Sequence, residues 1–155
     1  HLLFRRGEQR SLWGFDSFEG FPEPSPEDTS FRNPKKGQLK TEEKWIWTIL
    51  RSSQLPDDFL QQRVKLRKGF FSDSLPHFPK DQKIALLHID GDIYQSYKDC
   101  LEILFPKVTK GGLVIFDEYN EPAWPGATKA VNQYFKSTEY KIELDKTSGK
   151  YFIIK

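Results

Sequence analysis

Apolar stretches of strand length alternate along this chain with stretches of helical periodicity. The apolar runs predict strands at about residues 11–15, 64–68, 84–89 and 113–117. Helical spacing is found between them, in the segments TEEKWIWTILRSS, YQSYKDCLEILFPKV and PGATKAVNQYFKS. The final segment, YKIELDKTSGKYFIIK, alternates on both sides of a Ser-Gly turn and predicts a C-terminal hairpin. This order indicates an α/β protein with a mostly parallel sheet, to which the hairpin adds an antiparallel edge.

Two segments depart from the alternating pattern. Residues 21–37 form a proline-rich polar stretch that predicts a long loop after the first strand. Residues 1–10, HLLFRRGEQR, have the pattern of the end of an amphipathic helix, and the sequence contains no Met. This start is typical of the end of a helix rather than of the natural beginning of a protein.

Composition and charge narrow the class of protein. The 155 residues, 37% of them hydrophobic, suit a single globular domain over 1–155. The net charge is +2 and the basic residues are scattered, which argues against nucleic acid as a partner. The sequence has no apolar run of membrane-spanning length and no leader pattern, so we expect a cytoplasmic protein that does not enter a membrane. Cys100, the one cysteine, excludes a disulfide framework and is expected to be a buried helical residue.

Acidic residues stand at the ends of three predicted strands. Asp16, Asp90 and Asp117 each follow an apolar run. Because ligands of parallel α/β sheets bind outside the carboxyl ends of the strands, these side chains are expected at the functional edge. If the strands before Asp90 and Asp117 are neighbours, the two carboxylates converge, and Glu118 can add a third oxygen. Such an all-oxygen set favours a hard divalent ion such as Mg²⁺.

The segment LLHIDGDIYQS leaves other interpretations open. Asp92 can cap the helix that begins near Tyr94, which is an ordinary use of aspartate. Asp90 and Asp92 also fit the Asp-x-Asp pattern of phosphatases that form an aspartyl-phosphate, although that motif wants Thr or Val where Tyr94 stands. His88 alternates with Ile89 along the strand and is expected to be a packed core histidine.

Several segments, taken in order, resemble a known family. LWGFDSFEGFP, KGFFSDSLP, LLHIDGDIYQSYKDCLEILFPKVTKGGLVIFDEY and PGATKAVNQYF are similar to the signature blocks of the macrocin O-methyltransferases. The resemblance extends from about residue 10 to the end of the chain. It implies a Rossmann-like class I methyltransferase fold and an enzyme that uses S-adenosylmethionine and Mg²⁺ to methylate a hydroxyl of a sugar or secondary metabolite.

The resemblance also implies roles for individual residues. Asp90, Asp117 and Glu118 would hold the metal, and Asp90 would also accept the hydroxyl proton. The family usually has Asp where this chain has Glu118, whose extra methylene moves the carboxylate oxygens. Six residues would line the cofactor: Asp16 and Ser17 on the ribose side, and Gly69, Phe70, Asp73 and Ser74 on the adenine side. For Asp16 an Asx turn, and for Phe70 plain core packing, are the alternatives.

One family feature has no counterpart in these 155 residues. Family members begin with a strand and a Gly-containing turn that approaches the amino-acid half of the cofactor, and this strand is central, between those at 11–15 and 84–89. Its absence would leave two interior strand edges unpaired. A longer native protein, closure of the two strands on each other, or a second copy in a homo-oligomer would cover them. We expect residues 1–155 alone to bind S-adenosylmethionine weakly and to be inactive, and a non-catalytic interaction module is the alternative function.

Overall fold

The computed structural model of the chain describes residue 5, residue 7 and residues 9–155. The strands in this part of the chain are β1 (Leu12–Asp16), β2 (Val64–Lys68), β3 (Ile84–Ile89), β4 (Val108–Phe116), β5 (Glu143–Leu144) and β6 (Tyr151–Ile154). The helices are α1 (Glu43–Ser52), α2 (Asp57–Arg63), α3 (Phe71–Ser74), α4 (Tyr94–Leu104) and α5 (Pro125–Phe135). Single 3₁₀ turns lie at Pro26–Asp28, Leu75–His77 and Phe105–Lys107. The predicted alternation of strand and helix, and with it the α/β class, is confirmed.

The strands form two sheets rather than the single sheet expected. β1 pairs in parallel with β2, from Leu12↔Val64 to Asp16↔Lys68. The second sheet has the order β3-β4-β6-β5, with β3 and β4 parallel and the C-terminal hairpin antiparallel to β4. The prediction of one continuous sheet is therefore wrong for the described residues. The family resemblance implies a further strand between β1 and β3, and in the structure these two strands belong to different sheets.

The core lies where α4 and α5 pack on the second sheet. Side chains that are at most 1% exposed there come from both layers, among them Ile89, Phe116 and Ile153 from the strands and Tyr97, Leu101 and Val131 from the helices. Each such side chain stabilises the fold by roughly 1.5–3 kcal/mol relative to exposure. Cys100 is buried in α4, as predicted. The first sheet contacts this core through aromatic side chains, since the ring of Trp13 in β1 lies 5.2 Å from the ring of the core residue Phe78.

Some predicted bounds of strands and helices agree with the structure and others do not. β4 begins at Val108, earlier than expected, and runs through Gly111 and Gly112. The proline that opens α5 stands in its first turn as predicted. The helix end predicted over residues 1–10 lies largely outside the described residues. Among the helices in the described part of the chain, none is long and apolar enough to cross a membrane.

Candidate active site

The acidic residues at the strand ends meet at one edge of the structure. Asp90 directly follows β3 and Asp117 directly follows β4. Since β3 and β4 are parallel neighbours with Ile89 opposite Phe116, the two aspartates leave the sheet side by side. One carboxylate oxygen each from Asp90, Asp117 and Glu118 lies within 4.8 Å of the others. The convergence expected from the strand pattern is therefore present.

Glu118 is fixed in place by hydrogen bonds from its surroundings. Its side chain is only 4% exposed. The Tyr97 hydroxyl donates to Oε2 at 2.7 Å, and the backbone N–H groups of Gly91 and Asp92 donate to the same oxygen at 3.3 and 3.2 Å. Asp92 has a left-handed backbone, with φ of 59°, which helps both N–H groups to face this oxygen. The Glu118 N–H in turn donates to the Tyr97 hydroxyl at 3.1 Å.

The carboxylates of Asp90, Asp92 and Glu118 lie close enough for the negative charge of one to affect the pKa of another. Burial raises the pKa of Glu118 to about 8, and the negative charges of Asp90 and Asp92 act in the same direction. Burial and the charge of Asp90 raise the pKa of Asp92 to about 6. Like charges crowded at a partly buried site are stabilised by a cation, so the electrostatics of this cluster suit a metal ion.

Asp117 differs from its neighbours because a lysine and a histidine already contact its carboxylate. Lys150 Nζ lies 2.9 Å from Asp117 Oδ1, and His88 Nε2 lies 3.2 Å from the same oxygen. Although burial acts in the opposite direction, the hydrogen bonds from Lys150 and His88 lower the pKa of Asp117. The prediction that His88 is a core residue is wrong. Its side chain is 50% exposed, because it lies on the same exposed face of β3 as Leu86, opposite the buried Ile89.

A cavity of about 220 Å³ opens in front of the acidic edge. Four of the predicted site residues line it: Asp16, Ser17, Phe70 and Asp90. The other five, Gly69, Asp73, Ser74, Asp117 and Glu118, are not among its lining residues, so Asp90 is the residue that the cavity shares with the acidic cluster. The Ser74 hydroxyl instead donates to the carbonyl oxygens of Gly69 and Phe70 at 3.2 and 3.0 Å, which closes the turn that leads into α3. Gln95 and Asp99 of α4 also face the cavity, and the sequence patterns did not single them out.

Asp16 forms the Asx turn that was the alternative for it, and it also lies at the cavity. Its Oδ1 accepts a hydrogen bond from the Phe18 N–H at 2.6 Å, which is the geometry of an Asx turn. Ser17 continues this turn by donating to the Gly20 carbonyl at 2.8 Å. Asp16 nevertheless lines the cavity, so the turn that starts the proline-rich loop also shapes the cavity wall.

Comparisons with known proteins identify the family of this chain. The family model described as macrocin O-methyltransferase (TylF) matches residues 2–151. The chain belongs to the macrocin O-methyltransferase family.

Curated relatives and solved structures that are similar to this chain are O-methyltransferases as well. Demethyldecarbamoylnovobiocin O-methyltransferase of Streptomyces niveus is 34% identical over 138 residues, which is 87% of this chain and 51% of the relative. Mycinamicin III 3''-O-methyltransferase of Micromonospora griseorubida is 30% identical, over 85% of this chain and 54% of the relative. The O-methyltransferase NovP superposes with a TM-score of 0.80 at 29% identity, covering 99% of this chain and 64% of NovP. The chain thus spans about half the length of these curated relatives.

Within this family fold, the helix behind the metal candidates is capped by a residue that the sequence patterns did not identify. Asp92 does not cap α4, so that prediction is wrong. The Tyr94 N–H donates instead to Asp28 Oδ1, 66 residues away, at 2.7 Å. Asp28 is 3% exposed, and its other oxygen accepts bonds from the Ser25 N–H and hydroxyl, both at 2.8 Å. The Ser-x-x-Asp spacing in SPED was the available signal, since it is a capping pattern.

The proline-rich loop is held against the segment that follows Glu118. The Ser30 hydroxyl donates to the Ala123 carbonyl at 2.9 Å. The Arg32 guanidinium lies 5.4 Å from the centre of the Trp124 ring. These contacts join the loop after β1 to the loop after β4, so both loops border one end of the site.

Proposed function

We propose that this chain is part of an S-adenosylmethionine-dependent O-methyltransferase that holds a divalent cation through Asp90, Asp117 and Glu118. The observation that supports the cation site is the approach of three carboxylate oxygens to within 4.8 Å at the ends of adjacent parallel strands. Family membership supports the methyl transfer. A cofactor that carries a sulfonium methyl supplies the electrophile when it is bound.

The donor set fits a hard cation. It consists of carboxylate oxygens, which Mg²⁺, Mn²⁺ and Ca²⁺ prefer. Three donors converge on Glu118 Oε2, which leaves Oε1 as the oxygen available to a cation. A divalent cation bound here would lower the pKa of an acceptor hydroxyl. Asp90 is exposed and lies beside this position, so we assign to it the acceptance of the hydroxyl proton.

The cavity supports the proposed cofactor side of the site. Asp16 and Ser17 border it at the end of β1, where hydroxyl groups of a ribose can donate to a carboxylate. Phe70 also lines the cavity and offers an apolar surface to the cofactor. We assign Gly69, Asp73 and Ser74 to the same adenine side, where the Ser74 hydroxyl bonds keep the turn in shape.

The acceptor is proposed from the relatives. One relative is named for its action on a mycinamicin and another for its action on a rhamnosyl tetracenomycin. We therefore propose a small-molecule hydroxyl, on a sugar or a secondary metabolite, as the methyl acceptor.

The cation site is tested by melting temperature in millimolar MgCl₂ and by calorimetric titration with Mn²⁺. A cation at ten times its dissociation constant adds about 1.4 kcal/mol to the free energy of unfolding, or roughly 3–6 °C for a chain of this size. We expect this shift in the wild type and its loss in the double variant Asp90→Asn, Asp117→Asn. Asp81→Asn, which removes an exposed carboxylate outside the cluster, is the matched control and should behave like the wild type. No shift and no Mn²⁺ heat in the wild type would refute the cation site.

A further inference from the structure

The C-terminal hairpin brings a lysine to the acidic edge of the sheet. β4 and β6 are antiparallel, with Phe116 opposite Tyr151. The residue after Phe116 and the residue before Tyr151 therefore face each other across the ladder, and these are Asp117 and Lys150. The position of Lys150 follows from strand register and does not depend on a flexible surface contact.

The turn before Lys150 fixes its backbone. The Asp145 N–H donates to the Lys150 carbonyl at 2.9 Å, and the Gly149 N–H donates to the Asp145 carbonyl at 2.8 Å. The Asp145 carboxylate also accepts the Thr147 N–H at 3.0 Å and the Ser148 hydroxyl at 2.6 Å. A hairpin turn with this many internal bonds presents the lysine in a defined place.

The ammonium group of Lys150 makes two contacts with one residue of the cluster. It lies 2.9 Å from Asp117 Oδ1 and 3.1 Å from the Asp117 carbonyl oxygen. The side chains of Lys150 and Asp117 are 41% and 30% exposed, so the contact is partly shielded from water. Lys150 thus places a full positive charge next to the oxygens that the proposed cation would need.

We propose that Lys150 is a tethered cation that competes with the divalent cation for Asp117 and so sets the metal affinity of the site. The competition has two causes. The ammonium occupies Asp117 Oδ1, and two cations on one carboxylate repel each other. Metal binding therefore requires Lys150 to release Asp117 or accept a nearby positive charge. This inference rests on the proposed cation site, and it adds a specificity-determining residue that the family resemblance did not indicate.

The experiment is a calorimetric titration of the 155-residue chain with MnCl₂, with electron paramagnetic resonance of free Mn²⁺ as a second readout that needs no methyl-transfer activity. Lys150→Gln should bind Mn²⁺ at least tenfold more tightly than the wild type, equivalent to about 1.4 kcal/mol. Lys150→Arg keeps the charge and should stay within threefold of the wild type. Lys146→Gln removes an exposed lysine from the same turn and should match the wild type.

The outcomes separate this inference from the proposed function. Tighter binding by Lys150→Gln alone supports the competition. If the wild type binds Mn²⁺ and Lys150→Gln binds it equally or more weakly, the inference is overturned, because Lys150 would then only orient Asp117, while the cation site stands. If neither the wild type nor any of these variants binds Mn²⁺ at millimolar concentration, the cation site and the competition are both refuted.

Discussion

The carboxylate of Asp28 should contribute strongly to stability although it lies in a loop. It is 3% exposed and accepts three hydrogen bonds, from the Tyr94 N–H at 2.7 Å and from the Ser25 N–H and hydroxyl at 2.8 Å. A buried donor that loses its partner costs about 1–3 kcal/mol, and loss of a helix cap costs about 0.5–2 kcal/mol. The Ser25 groups are partly accessible to water, so Asp28→Ala should lower the free energy of unfolding by about 2–4 kcal/mol.

Gly126 provides a second perturbation at the same place. A Cβ atom on Gly126 would overlap Asp28 Oδ1 and lie 2.9 Å from the Tyr94 nitrogen. Gly126→Ala alone should therefore destabilise the protein by about 1–3 kcal/mol, as overpacking does. In the Asp28→Ala background the methyl group enters space that the carboxylate has left. The two substitutions should then be non-additive by at least about 1 kcal/mol.

The free energy of unfolding of the wild type, the two single variants and the double variant is measured by urea unfolding followed by circular dichroism. The control is Glu23→Ala, which removes an exposed carboxylate from the same loop and should leave the midpoint unchanged. If Asp28→Ala costs less than about 1 kcal/mol, or if the costs of the two substitutions simply add, the buried cap does not hold this loop to α4.

Two further predictions concern Glu118 and Tyr97. Burial raises the pKa of Glu118 from the usual 4.5 to about 8, so the native state keeps a proton that the unfolded state loses. Metal-free stability should therefore fall as the pH rises from about 4.5 to 8. This fall should be smaller in Glu118→Gln, and equal pH slopes for the two proteins would contradict the assignment. Tyr97→Phe removes a hydrogen-bond donor to Glu118. It should lower the free energy of unfolding, measured with urea, by about 1–3 kcal/mol, and it should weaken Mn²⁺ binding. Unchanged Mn²⁺ binding would show that Tyr97 does not position the carboxylate.

The strand ends could be predicted because local pattern determines them. A buried strand needs a continuous apolar run, and Asp90 and Asp117 each follow such a run directly. The division into two sheets could not be predicted in this way, since an apolar run indicates that a strand is buried and does not identify its partner. Leu12 and Leu86 are as apolar as the buried residues of the same sheets, although they are 52% and 57% exposed.

The residues that organise the site were missed because their roles depend on tertiary contacts. Tyr97 has the spacing of a core residue of α4, and it is one, but its hydroxyl also meets Glu118, 21 residues later. Lys150 lies 33 residues from Asp117 and is indistinguishable in sequence from other lysines. Only the pairing of β6 with β4 gives it a place at the site. His88 was misassigned for a related reason, because alternation along β3 does not determine which face is covered.

The length of the Glu118 side chain, where the family resemblance led us to expect Asp, has a structural consequence in the turn that follows β3. Aspartate at this position would be shorter by one methylene. The longer side chain allows Oε2 to accept the N–H groups of both Gly91 and Asp92. Those bonds stabilise the left-handed backbone of Asp92, which an aspartate adopts only at some cost. The same contacts leave the other oxygen of Glu118 free for the proposed cation, so one side chain stabilises the turn that carries Asp90 and, under the proposed function, supplies a ligand beside it.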